Sequence, residues 1–276
     1  MTLSRRSFVA AALPAFTAWK LVAAEKHIPI GLELYSVRDE LKKDLTGTVD
    51  GVAKMGYECV EFFAPYFQWT PDYAKQVRKQ LDDLKIRCYS THNNMESFGA
   101  GMEHAMELNN ILGTKYIVLA SAGKVTGIDG WKQVAETLNK ANEKMSASGL
   151  HAGYHNHAVE WKPIDGQMPL RVLADNTDKS IMLQLDVGTC VETGNNPVEW
   201  INNHPGRIRS LHLKDWSPDK GYRVLFGQGV VPWKEVFAAA ESKGGVEYYL
   251  IEQEGSDLPE METVDRCLIA FREIHG

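Results

Sequence analysis

Short apolar or β-branched runs recur along this chain at nearly even intervals, with helical patterns between them. The runs are Ile28 to Val37, Cys59 to Phe63, Ile86 to Thr91, Tyr116 to Ala120, His151 to His157, Ile181 to Val187, Ile208 to Leu213 and Tyr248 to Glu252. Residues near their ends (Glu33, Glu61, His92, Ala120, His155, Asp186, His212, Glu252) follow one another at steps of 26 to 40 residues. A strand, a loop and a crossover helix take about 30 residues. The segments between carry the three- and four-residue spacing of helices: Leu45 to Lys54, Thr70 to Leu84, Trp131 to Ser148 with Gly149 as a stop, Pro197 to Ile201, and Met261 to Ile274. Strands alternating with helices imply a parallel sheet. An open doubly wound sheet would carry a glycine-rich phosphate turn after its first strand. Here the first strand runs instead into Tyr35-Ser36-Val37-Arg38-Asp39. Eight units therefore predict a closed (β/α)8 barrel in one domain, residues 25–276.

The first 24 residues stand apart. Arg5-Arg6 precedes an apolar stretch from Val9 to Val22, no acid occurs before Glu25, and Ala23-Ala24 offers a small-residue cleavage site. This pattern predicts an export signal, residues 1–24, and the arginine pair resembles the twin-arginine type. That route carries folded proteins, often with a cofactor already bound. The expected location is periplasmic or otherwise exported. Cleavage after Ala24 takes the 30 basic residues to 27 against 36 acidic ones, a net charge of -9. So acidic a surface argues against nucleic acid as a partner. No run approaches 18 apolar residues, so no membrane span is expected in the mature chain. Cys59, Cys88, Cys190 and Cys267 show no paired spacing, which excludes a zinc ribbon and favours buried thiols.

Active sites of such barrels sit at the C-terminal ends of the strands. Those ends are polar here: Val60-Glu61, Thr91-His92-Asn93, Tyr154-His155-Asn156-His157, Leu185-Asp186-Val187-Gly188, His212-Leu213-Lys214-Asp215 and Ile251-Glu252-Gln253-Glu254. Any one alone has a plain structural use: Asp186 can cap the next helix, and Lys214 can pair with Asp215 or Glu252. Four consecutive strands each offering a ligand type point to a divalent cation. Borderline nitrogen and oxygen donors suit Mn, Zn, Co or Fe, and Mg less well. Tyr35, Phe62, Phe63, Tyr66, Phe67, Trp69 and Trp216 follow strand ends and could stack on sugar faces.

These motifs, with Gly31-Leu32-Glu33-Leu34-Tyr35-Ser36-Val37-Arg38, Pro205-Gly206-Arg207-Ile208, and Gly227-Gln228-Gly229 with Trp233, resemble the xylose isomerase-like barrels of the sugar phosphate isomerase/epimerase superfamily over about residues 28–275. The resemblance implies one divalent metal held by His155, Asp186, His212 and Glu252. His155 stands where many members have Glu, so His157 is a rival for that place, and Thr189 stands where His often follows. The resemblance also implies enolisation of a sugar or keto-sugar. Glu252 is the leading base, Lys214 an acid, and His92 an alternative base. Glu33, Glu61, His157 and Trp216 are expected to contact substrate. Proton return gives epimerisation or isomerisation, and loss of a neighbouring group gives β-elimination. Export and the absence of a strong phosphate cradle favour an unphosphorylated sugar. A non-catalytic sugar-binding protein remains the third reading.

Overall fold

The computed structural model describes residues 27–276; the expected signal segment, 1–24, lies outside them. Eight parallel strands close into one barrel in chain order: β1 (Ile30–Glu33), β2 (Cys59–Phe62), β3 (Arg87–Asn93), β4 (Tyr116–Leu119), β5 (His151–His155), β6 (Met182–Asp186), β7 (Ser210–Leu213) and β8 (Tyr248–Ile251). Pairing of β1 with β8, Leu32 beside Ile251, completes the ring. The (β/α)8 expectation holds. No helix among the described residues is long and apolar enough to cross a membrane.

Successive strand residues point to opposite faces, and this alternation sorts the sequence. Outward residues such as Leu32, Val60, Ile117, Leu183, Leu211 and Ile251 pack under the helices as the main core. Inward residues fill the barrel in layers. Cys59, Tyr116, Val118, Met182, Tyr248 and Leu250 form its apolar floor, with Tyr89 stacked on Tyr248 at 5.1 Å between centroids. All four cysteines are buried and unpaired.

Helix ends follow from local chemistry. The Asp44 side chain accepts the Gly47 N–H at 2.9 Å to open the helix Leu45–Met55, and Thr70 opens Pro71–Leu84. Asn196 caps Pro197–Asn203. The helix Gly127–Ser146 starts four residues earlier than its apolar spacing suggests, and the chain closes with Glu260–His275. The first strand is shorter than its apolar run. The Glu33 carboxylate accepts the Tyr35 N–H, and Leu34–Val37 winds into a 3-10 turn in place of extended chain.

The loop after β7 hangs on one carboxylate. Asp215 Oδ1 accepts the Trp216 N–H at 2.8 Å, and Oδ2 accepts Gly227 N–H at 2.9 Å, Gly229 N–H at 3.1 Å and the Trp233 indole N–H at 2.9 Å. A Cβ on Gly229 would fall 2.0 Å from Asp215 Oδ1, so that position admits only glycine. Hydrogen bonds to a charged group contribute about 1.5–3 kcal/mol each. Asp215→Ala orphans the buried Trp233 indole N–H and three part-buried backbone N–H groups, and is expected to cost about 3–5 kcal/mol, measured by urea unfolding. A loss below about 1 kcal/mol would show that the loop holds itself.

Candidate active site

A charged layer sits above the apolar floor, at the C-terminal ends of the strands. Glu33, Glu61, His92, His155, Gln184, Asp186, His212, Lys214 and Glu252 are all less than 10% exposed. Register explains the convergence: Glu33 lies beside Glu61, His155 beside Gln184, and Asp186 beside His212. His92 joins through an irregularity. Val60 pairs with Cys88 but Phe62 with Thr91, so β3 carries one extra residue. That bulge resets the alternation. Thr91 turns outward to Asn109, and His92 turns inward.

His212 is held at both ends. Its Nδ1 lies 2.8 Å from Glu252 Oε2 and its Nε2 2.9 Å from Glu61 Oε2. Burial alone would lower its pKa, but these two carboxylates push it up to about 10. His212 is thus an imidazolium donating to both. Glu252 and Glu61 stay anionic against the cost of burial, Glu252 through Lys214 and His212, Glu61 through His92 and His212. Lys214 Nζ pairs with Glu254, stands 3.3 Å from Asp186 Oδ2 and 3.8 Å from Glu252 Oε1, and lies over the Tyr222 ring. Those three acids hold its charge in spite of burial. Asp215, the other partner considered for Lys214, is turned into the loop instead.

Asp186 serves two ends at once. Its Oδ1 accepts the Thr189 N–H at 2.9 Å and caps the turn Val187–Glu192, while its buried Oδ2 accepts no hydrogen bond. Burial raises its pKa, offset in part by Lys214. Gly188 is required because a Cβ there would fall 2.6 Å from the Lys214 carbonyl oxygen. Glu33 Oε1 is the other buried carboxylate oxygen without a hydrogen bond among the described residues. Burial, with Glu252 and Glu61 nearby, raises Glu33 well above the usual range. His155 is pushed well below its usual value by burial and by His212 and His92, so its imidazole is neutral.

Three groups could each hold a cation, their ligand atoms within 4.8 Å of one another: His155 with Asp186 and Glu252, Glu33 with Glu61 and His92, and the three histidines His92, His155 and His212. The expected ligands His155, Asp186 and Glu252 therefore come together. The fourth, His212, hydrogen-bonds Glu252 and Glu61 and falls in the histidine group. Of the two strand-five rivals, His155 lies in the cluster. His157 is half-buried with its ring edge-on to His155, and its backbone N–H donates to Glu160 Oε2 at 2.8 Å. Trp216 is half-buried at the rim, and Thr189 binds Asn156. The aromatics after β1 and β2 meet edge to face, Tyr35 with Phe63 and Phe62 with Trp69. Phe62, Phe63, Tyr66 and Trp69 line a groove of about 840 Å³ together with Arg38 and Lys42. Gln184 escaped the sequence reading, although it precedes Asp186 by two and so shares its face. Glu254, the acid on Lys214, shows in the sequence only as part of the polar end of the eighth strand.

Residues 49–269 match the model of the xylose isomerase-like TIM barrel family. The chain belongs to that family. It is similar to an inosose dehydratase of Geobacillus thermodenitrificans, 24% identical over 53% of this chain and only 54% of that one. A second, from Lacticaseibacillus casei, is 22% identical over 78% of this chain and 84% of the other. Among solved structures it resembles a sugar phosphate isomerase/epimerase from Parabacteroides distasonis, at TM-score 0.76 and 26% identity, covering 91% of this chain and 97% of that one. It shares its fold with the IOLI protein, solved with a zinc atom bound, at TM-score 0.68 and 17% identity, covering 90% and 98%.

Proposed function

We propose that this family member is a divalent-metal-dependent sugar isomerase or epimerase that removes the proton beside a carbonyl of an unphosphorylated sugar or keto-sugar. One observation carries the reading. Asp186 Oδ2, buried and without a hydrogen bond, lies in reach of His155 and Glu252, a nitrogen and oxygen donor set of the kind Zn, Mn, Co or Fe prefer. These residues fit a cation. A bound divalent ion would act as a Lewis acid on the carbonyl and oppose the negative charge that develops on its oxygen.

The chain's own residues supply the rest. Glu252, kept anionic by Lys214 and His212, accepts the proton from carbon. His212 fixes the Glu252 carboxylate through its 2.8 Å hydrogen bond. Lys214 keeps a proton on Nζ beside Asp186 and Glu252, ready for an oxygen of the substrate. The same ammonium favours a second reading, a lyase. A charged donor beside the base can protonate a departing group, and the inosose dehydratase relatives are named for loss of water.

The test is a panel of free and 3-oxidised sugars incubated with metal-loaded protein in deuterated water. Deuterium entering the carbon next to the carbonyl is expected. A product of unchanged composition marks isomerisation or epimerisation, and a product lacking a substituent marks the lyase. Protein that binds sugar and metal yet never exchanges the proton would be a binding protein. Export through the twin-arginine route, with maturation near Glu25, belongs to the same reading. The double substitution Arg5→Lys, Arg6→Lys is expected to hold the precursor in the cytoplasm, and unchanged export would refute it.

A further inference from the structure

Gln184 decides which nitrogen of two buried imidazoles carries hydrogen. Its Nε2 lies 3.1 Å from Glu61 Oε1, a carboxylate oxygen that can only accept, so the amide nitrogen faces Glu61 and the amide oxygen faces the histidines. Gln184 Oε1 in turn lies 2.7 Å from His92 Nε2 and 3.1 Å from His155 Nδ1. Both of those nitrogens must therefore be N–H donors. The remaining nitrogens, His92 Nδ1 and His155 Nε2, carry lone pairs.

Each bare nitrogen looks at a carboxylate oxygen. His155 Nε2 is 4.0 Å from Asp186 Oδ2, and His92 Nδ1 is 3.8 Å from Glu33 Oε1. These oxygens are the two carboxylate atoms among the described residues that are buried without a hydrogen bond. Asp186 Oδ2 has the Lys214 ammonium 3.3 Å away, whereas Glu33 Oε1 and His92 Nδ1 are two acceptors facing each other, which is costly to bury. Two ligands about 2.0–2.2 Å from one tetrahedral ion stand about 3.3–3.6 Å apart, so each pair needs to close by only a few tenths of an ångström to share one. The first pair belongs to the cation group already proposed. The second pair repeats its construction on other strands.

We propose that Glu33, Glu61 and His92 form a second divalent-cation site, built from β1, β2 and β3. Its ligand atoms lie within 4.8 Å of one another, and Glu33 and Asp186 fall in different groups. The site shares no residue with His155, Asp186 and Glu252, so it stands or falls separately from the first. One imidazole and two carboxylates suit Zn²⁺ and leave a coordination position open for water or a substrate oxygen.

Equilibrium dialysis of the metal-free full-length chain against Zn²⁺ counts the sites. Wild type should saturate at two ions per chain. Glu33→Gln and His92→Asn should each lose one, weakened at least about 100-fold, while Asp186→Asn loses the other and keeps this one. Melting curves by circular dichroism verify that each variant is folded. Zn²⁺-soaked wild-type crystals should show an anomalous-scattering peak among Glu33, Glu61 and His92. Saturation at one ion, a second ion indifferent to Glu33→Gln and His92→Asn, or absence of the anomalous peak would overturn the proposal. An Asp186→Asn variant that keeps every ion would instead count against the first site.

Discussion

Glu252→Gln should lower turnover by about 10²–10⁴, the range expected for a lost general base. In barrier terms this is about 2.7–5.4 kcal/mol. The amide keeps the shape and one oxygen of the side chain but gives up the charge that takes a proton. Folding should suffer less. His212 keeps Glu61 at 2.9 Å, and Lys214 keeps Asp186 and Glu254, so neither buried cation is stranded. The cost should stay below the roughly 3–5 kcal/mol of a buried pair broken outright. Deuterium entry at the carbon beside the carbonyl is the readout, because it reports proton removal whatever the product. Should Glu252→Gln exchange that proton at the wild-type rate, the base lies elsewhere, and His92, His157 and Lys214 are the next side chains to replace.

The barrel could be read from the sequence because its two periodicities are strong. Apolar strands of four to seven residues alternate with helices whose three- and four-residue spacing is bounded by residues such as Gly149 and Pro197. The site was readable for a related reason. A polar residue that ends an apolar strand has few places to go except the barrel mouth, and Glu33, Glu61, His92, His155, Asp186, His212 and Glu252 all went there. Pairings within the site were not readable, since they depend on which strands become neighbours. His212 looks like a ligand on its own strand, but β8 and β2 bring carboxylates to both of its nitrogens. Lys214 found Glu254, on the chain after β8, in preference to its sequence neighbour Asp215. The inward turn of His92 depends on an extra residue in β3, which no alternation pattern reveals. Gln184 lay inside a run that reads as buried strand, where one polar residue is easily passed over.

Removing divalent ions from the protein is expected to abolish activity and to lower its thermal stability together. Without a cation, the buried Asp186 Oδ2 faces His155 Nε2 at 4.0 Å and has the Lys214 ammonium 3.3 Å away, and burial raises the Asp186 pKa. The site is then held by Lys214 and by whatever protons Asp186 takes up. An ion that binds the folded chain alone stabilises it by mass action, by about 2.7 kcal/mol at 100 times its dissociation constant and about 4.1 at 1,000 times. For a domain of this size each kcal/mol moves the melting temperature by roughly 2–4 °C. Chelation should therefore lower the transition by about 5–15 °C, and added Zn²⁺ or Mn²⁺ should restore it. Asp186→Asn should melt at the same temperature with and without chelator if it has lost the only ion that contributes. If a smaller shift remains in Asp186→Asn and vanishes when Glu33→Gln is added, the remainder belongs to the Glu33, Glu61 and His92 group. Wild-type protein that melts at one temperature in chelator and in excess metal, and exchanges substrate protons equally in both, would remove the cation from the reaction.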